Sequence, residues 1–152
     1  MIRSNPRAWI WIFVIVEFVG LAVDAVWHGV LHREFEAGTV NEMARHLATV
    51  HLPLYIGVLG LLASTTWALL ARMTRSKAGV ALPLAVAGAV VQAGGEAWHA
   101  YSHLALRPNP LSELFGFVGL LTVIVSILAF RRAERGRRAE APSPNRQHRA
   151  SG

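Results

Sequence analysis

The chain has 152 residues, of which 53% are hydrophobic and 16% are charged, with a formal net charge of +6. Soluble domains of this size carry more charge and fewer long apolar stretches, so this composition favours burial in a lipid bilayer. The sequence contains no cysteine. Disulfides, thiolate zinc sites, iron–sulfur clusters and covalently attached c-type haem are therefore excluded within this chain.

Four apolar stretches are long enough to cross the hydrocarbon core of a bilayer, which takes about 20 helical residues. The predicted transmembrane helices are Ala8–Leu31, Leu47–Ala71, Ala78–Leu104 and Leu111–Phe130. Short polar links between them make neighbouring helices antiparallel. The predicted fold is all-α, an integral membrane four-helix bundle built from two tandem transmembrane hairpins within residues 1–130.

The positive charges predict the orientation of these helices. Arg3 and Arg7 precede the first helix, further basic residues fill the loop 72–77, and arginines are dense after residue 130. Lys and Arg are retained on the cytoplasmic side of a membrane, so we expect both termini to lie in the cytoplasm. The protein is thus predicted to be a multi-pass protein of the plasma (inner) membrane. The first helix lacks a small-residue cleavage pattern, so it is interpreted as a retained signal anchor.

Residues 131–152 are rich in Arg, Ala, Pro and Ser, with too few apolar groups to pack. They are predicted to form a disordered, basic cytoplasmic tail that lies on anionic lipid rather than on nucleic acid. The lipid bilayer is thus the predicted partner. Other membrane subunits, or further copies of this chain, are the additional partners considered.

Ionisable side chains inside transmembrane helices are costly and usually functional, and here they cluster at one end. Asp24, His28 and His32 form one stripe of the first helix, because each is rotated only about 40° from the last. The third helix carries a similar stripe, and the second begins with two histidines. The candidate metal ligands are Asp24, His28, His32, His46, His51, Glu96, His99 and His103. The predicted topology puts them all at the extracytoplasmic face.

A repeated motif supports a common design for the two hairpins. Trp27-His28 is followed by His32, and Trp98-His99 by His103, so both helices contain W-H-x-x-x-H. Such repeats are known from membrane transporters, and this one predicts that the first and third helices face each other across a pocket. Glycines repeat as G-x-x-G in the second and fourth helices, where small residues let helices pack closely in lipid.

The first of these motifs resembles the metal-binding region of a known family. Asp24-Ala-Val-Trp27-His28, with a later histidine entering the next helix, resembles the C subunit of particulate methane and ammonia monooxygenases. The resemblance implies copper bound by Asp24, by His28 and by His46 or His51. It also implies membership in an oxidising membrane system.

The second hairpin resembles the same subunit more faintly. Gly95-Glu96-Ala-Trp98-His99 matches part of an Asn-Glu-Trp-Gly-His element, but the asparagine is missing. The family's downstream Pro-Leu-His is replaced by Pro110-Leu111-Ser112. The resemblance spans about half of the chain, from Asp24 to Gly116, and the additional helices of the family subunit are absent.

Ligand type alone does not choose the metal, because imidazole beside carboxylate suits several ions. Copper is the first expectation, with zinc and iron as alternatives. A site with an open position would make the chain a copper-dependent membrane monooxygenase or a subunit of one. The alternatives are a b-haem electron carrier with histidines as axial ligands, and a metal transporter or metallochaperone.

Overall fold

A computed structural model describes residues 6–32, 36–73 and 79–140 of the protein. This part of the chain contains five α-helices and no strand, so the all-α prediction is confirmed. A π-helical turn, Trp27–Leu31, continues the first helix. The helices are α1 (Pro6–Val26), α2 (Val40–Thr49), α3 (Leu52–Met73), α4 (Ala81–Leu104) and α5 (Pro110–Glu140).

Three described segments are long and apolar enough to cross a membrane: Ala8–Leu31, Leu52–Arg72 and Pro110–Gly136. By length and composition, the membrane-spanning prediction is therefore confirmed for three of the four stretches. The remaining stretch corresponds to α4, which has 24 residues and is long enough. Its apolar sequence is interrupted by polar side chains, among them Gln92 and Glu96, so its hydropathy is lower.

The predicted second transmembrane helix is divided in two. We expected it to begin at Leu47, but α2 ends at Thr49 and α3 begins at Leu52. Pro53 explains the division, because it has no N–H to donate to the carbonyl of Thr49 and is tolerated only in the first turn of a helix. The chain therefore bends between the two helices, and His51 lies at the bend.

Residues 131–140 continue α5 as far as Glu140, and the rest of the predicted tail lies outside the described residues. Arg72 of α3 forms an ion pair with Glu134 of this extension. The guanidinium of Arg131 lies 5.4 Å from the ring centroid of Trp11 on α1. The end of the bundle opposite the histidines is thus held together by arginine side chains. Arg3 and the basic loop at 74–77 lie outside the described residues.

Glycines bring the helices into close contact. A Cβ atom on Gly20 of α1 would lie 2.4 Å from the backbone nitrogen of Leu54 on α3. One on Gly57 of α3 would lie 2.6 Å from Cβ of Glu17. These positions have no room for a side chain, so α1 and α3 approach to backbone contact. Between α4 and α5, Gly119 approaches the backbone of α4 in the same way.

The packing order of the long helices follows from these contacts. The helix α1 packs along α3, α4 packs along α5, and α3 joins the two pairs through α4. An apolar core fills the half of the bundle away from the histidines. It is formed by buried side chains that include Ile10, Val14, Leu61, Ala85, Val123 and Ile127. The polar cluster is therefore confined to the other end.

Candidate metal centre

Two ligands of the candidate site come from the end of α1. Asp24 lies in the last turn of the α-helix, and His28 lies in the π-helical turn that follows. Single π-helical turns are rare in proteins, but those that occur are often found at functional sites, because they rotate the side chains that follow. Here Nε2 of His28 lies 3.5 Å from Oδ1 of Asp24.

The short helix α2 contributes the third ligand. Thr39 caps it, since its hydroxyl oxygen accepts a hydrogen bond from the backbone N–H of Glu42 at 3.3 Å. The carboxylate of Glu42 accepts in turn from the N–H of Gly38 at 2.9 Å, so the arrangement resembles a capping box in which the glutamate pairs with the residue before the cap. This start fixes the helix that carries His46, whose side chain is buried and faces α1.

The fourth ligand stands at the bend between α2 and α3. His51 is 2% exposed, and its Nε2 lies 3.3 Å from Oδ1 of Asp24 and 3.3 Å from Nε2 of His46. Nε2 of His46 lies 3.2 Å from Nε2 of His28. One donor atom from each of the four residues lies within 4.8 Å of all the others. We call Asp24, His28, His46 and His51 the tetrad.

These distances are those of ligands around one small ion. Donor atoms of a tetrahedral site lie about 1.6 bond lengths apart, so bonds of about 2.0–2.2 Å place them about 3.3–3.6 Å from one another. Four of the six donor-atom pairs in the tetrad measure 3.2–3.5 Å, and the other two, Asp24–His46 and His28–His51, lie within 4.8 Å. Three imidazole nitrogens and one carboxylate oxygen are also a donor set that transition metals accept. The tetrad can therefore hold a metal ion without a large rearrangement.

Two histidines of the tetrad, His46 and His51, are held in the neutral form that binds metals. Burial lowers the pKa of His51 to about 3, and the neighbouring His46 adds to this effect. Burial also lowers the pKa of His46, helped by the proximity of His28. Because a metal binds neutral imidazole, these lowered pKa values leave one unprotonated ring nitrogen on each histidine at neutral pH.

The tetrad lies between two cavities. Asp24 and His51 line an inner cavity of about 510 Å³ between the long helices. His28 and His46 line an outer cavity of about 340 Å³ at the end of the bundle, together with Met43. An ion can thus be reached from the end of the bundle, and the inner cavity begins behind it.

Four other predicted ligands lie outside the tetrad. The His99 and His103 rings are 4.3 Å apart between centroids and lie 5.6 Å and 6.2 Å from the His51 ring. Glu96 lines the inner cavity. His32 is exposed, with its ring centroid 4.0 Å from that of Trp27. The sequence left His46 and His51 as alternatives, whereas the structure brings both to the same point.

Several residues that shape the site were missed in the sequence. The ring of Tyr55 stacks on that of His51, with centroids 6.0 Å apart. Trp27, which the repeated motif did single out, has its ring centroid 5.8 Å from that of His46. The capping box of α2 has a readable signal, Thr39-x-x-Glu42, that would have predicted this helix. The position of Tyr55 had no comparable signal, because it depends on how α3 packs.

The fold and the tetrad define an α-helical protein with membrane-crossing helices and a cluster that can hold a metal ion. Compared with protein-family models, curated proteins and solved structures, the chain matches none of them.

Proposed function

We propose that this protein is a four-helix integral membrane protein that binds one transition-metal ion through the tetrad at its extracytoplasmic end. The main support is that four donor atoms from three segments of the chain converge, with distances of 3.2–3.5 Å between neighbouring atoms. A structural polar network would also bury these groups. Hydrogen bonds between the rings account for single pairs at these distances. The metal proposal is carried by the convergence of all four donor atoms, which lie within 4.8 Å of one another.

The proposal includes α4 as a fourth membrane crossing, so that the long helices form two tandem hairpins. Two observations support this: α4 is as long as the other spans, and its polar side chains face neighbouring helices. Gln92 is buried and donates a hydrogen bond to Glu17 of α1, and His99 is buried beside α5. Polar groups in a membrane helix are tolerated when they face the bundle interior.

Copper is the proposed ion, because divalent copper binds nitrogen and oxygen sites more tightly than the other first-row ions and because the tetrad includes the residues of the family resemblance. Zinc fits the same tetrahedral distances. Haem b fits less well. The two axial nitrogens that bind a haem iron lie about 4 Å apart, which is twice a bond length of about 2.0 Å, and the wide porphyrin ring lies between them. His28 and His46 are 3.2 Å apart at Nε2.

Four protein ligands make a closed site, which is typical of metal storage, sensing or transfer rather than of catalysis. The outer cavity supplies the entry route, since His28 and His46 line it. A role in a copper monooxygenase-like system is the second candidate. It is favoured by the family resemblance and by the inner cavity, which reaches Asp24 and His51.

Metal analysis tests the proposal. The intact protein, purified in detergent and stripped with a chelator, is dialysed separately against copper, zinc and iron and then analysed for bound metal. We expect one ion per chain, and a large loss of occupancy in Asp24→Asn and in His28→Ala with unchanged helical content. Wild-type protein that binds none of the three metals would refute the proposal. Full occupancy in both variants would move the site to Glu96, His99 and His103.

Spectroscopy separates the two candidate roles. A closed copper site should keep its electron paramagnetic resonance spectrum when azide is added, because no ligand position is exchangeable. A spectrum that changes with azide would show an open position and favour the monooxygenase-like role.

A further inference from the structure

The inner cavity contains a buried carboxyl group that the tetrad does not use. Glu17 of α1 is 1% exposed and lines this cavity. Its Oε1 accepts a hydrogen bond from Nε2 of Gln92, while its Oε2 has no hydrogen-bond partner within the described chain. A buried carboxyl oxygen without a partner is costly, so a group that donates to it would be favoured.

The ionisable groups around the cavity are carboxyl and imidazole groups. Four carboxyl groups line it, from Glu17, Asp24, Glu96 and Glu113, and no lysine or arginine does so among the described residues. Two histidines, His51 and His99, complete its polar lining. A ligand that complements this cavity is therefore cationic.

Apart from these carboxyl groups and the two histidines the lining is apolar, and it is reached from the side of the bundle. No Cα atom of α1 lies within 8 Å of one on α5 in the described chain, so a gap separates these helices. Phe18 and Phe117 line the cavity from the two sides of this gap, and both side chains are about half exposed. Contact between Arg131 and Trp11 closes the gap at the far end. The opening thus faces the surface that lipid would cover.

We propose that the inner cavity is a second binding site, for a membrane-dissolved amphiphile that carries a primary ammonium group on an apolar chain. The ammonium would donate hydrogen bonds to Glu17 and Glu96, and the chain would lie between Phe18 and Phe117. The volume of about 510 Å³ falls within the range of about 300–1,000 Å³ that is usual for small-molecule pockets. This site does not depend on a metal in the tetrad.

Three ligands with the same chain and different head groups test this inference. Radiolabelled octylamine, octanol and octanoate are equilibrated with the intact, chelator-treated protein in dodecyl maltoside, and protein-free micelles give the background. We expect saturable binding of one octylamine per chain, about ten- to a hundredfold weaker binding of octanol, and no saturable binding of octanoate, since a hydrogen bond to a buried charge is worth this much. Octanol that binds as tightly as octylamine would overturn the proposal, because an acyl-chain groove would explain it.

Matched variants locate the site. Glu17→Gln and Glu96→Gln change a carboxyl group to an amide of the same shape, and each should weaken octylamine binding about tenfold or more. Glu36→Gln is the control, because Glu36 is exposed and lies in the outer cavity. Wild-type octylamine affinity in both cavity variants would also overturn the proposal. Because the protein is metal-free throughout, a failure of the metal proposal does not affect the result.

Discussion

Oδ1 of Asp24 lies 3.3 Å from Nε2 of His51, across the contact between α1 and α3. The two residues are far apart in sequence, and they meet because glycines bring these helices to backbone contact one to two turns away. The contact joins a carboxylate to a histidine held neutral by burial. A cation bound between Asp24 and His51 would be stabilised by both side chains.

The first prediction is that His51 is essential for metal binding and that His32 is not. His51→Ala removes a donor at the centre of the tetrad and should lower metal affinity by more than about a hundredfold, since even outer-shell changes cost about ten- to a hundredfold. His32→Ala is the matched control, because its exposed ring lies against Trp27. Titration of metal-free protein with each metal measures both. Equal loss in the two variants would contradict the tetrad.

The second prediction concerns the pH dependence of the metal-free protein. The pKa of His51 is lowered to about 3 in the folded state, whereas an unfolded chain takes up this proton near pH 6.5. The unfolded state therefore binds more protons between these values, and stability should fall as pH falls below about 6.5, by up to about 1.4 kcal/mol per pH unit for this group. Above that pH its contribution is constant.

Thermal unfolding of the chelator-treated protein, followed by circular dichroism between pH 7.5 and pH 4.5, measures this effect. His51→Phe keeps a buried ring but cannot titrate, so its melting temperature should fall less over the same range. An identical pH dependence in wild type and His51→Phe would rule out His51 as the source.

The third prediction is that Gly20→Ala weakens both the fold and the metal site. The new methyl group would lie 2.4 Å from the backbone nitrogen of Leu54, so α1 and α3 must separate, at a cost of about 1–3 kcal/mol. Asp24 and His51 would then move apart, and metal affinity should fall. Gly94→Ala is the control, because nothing lies within 4 Å of its Cβ position. Stability is measured by unfolding in denaturing detergent, and metal affinity by titration. The Gly94→Ala control should keep its metal affinity, and its stability should be unchanged or slightly raised.

The fourth prediction tests how α2 positions His46. Thr39→Ala removes the cap and should destabilise α2 by about 1 kcal/mol, whereas Thr39→Ser keeps the hydroxyl group. Because α2 must be ordered for His46 to bind, metal affinity should fall in the alanine variant and be retained in the serine variant. Hydrogen exchange of α2 amides, measured beside the metal titration, reports the loss of order. Similar metal affinities for the two variants would show that the cap does not position His46.

The fifth prediction concerns orientation. A reporter fused after Gly152, or inserted in the loop 72–77, should report the cytoplasm, and one inserted near Gly38 should report the outside. The opposite result would place the tetrad in the cytosol. It would then contradict the extracytoplasmic site and the comparison with the monooxygenase subunit.

The sequence by itself determined that the protein is helical, that apolar stretches are long enough to cross a membrane, and that ionisable groups gather at one end. These properties follow from composition and from periodicity within single helices, which neighbouring segments do not alter. The stripe of Asp24 and His28 could be predicted for this reason, because side chains four residues apart on one helix lie on the same face.

Only the tertiary structure decided which histidines join that stripe. His46 and His51 reach the same ion position because Pro53 breaks the predicted helix and because a separate capped helix, α2, turns back over the end of the bundle. Glu96 and His99 had an equally good local pattern, yet they line the cavity beside the tetrad. Such choices depend on how closely helices approach, and here glycines such as Gly20 set the distance that no single helix can specify.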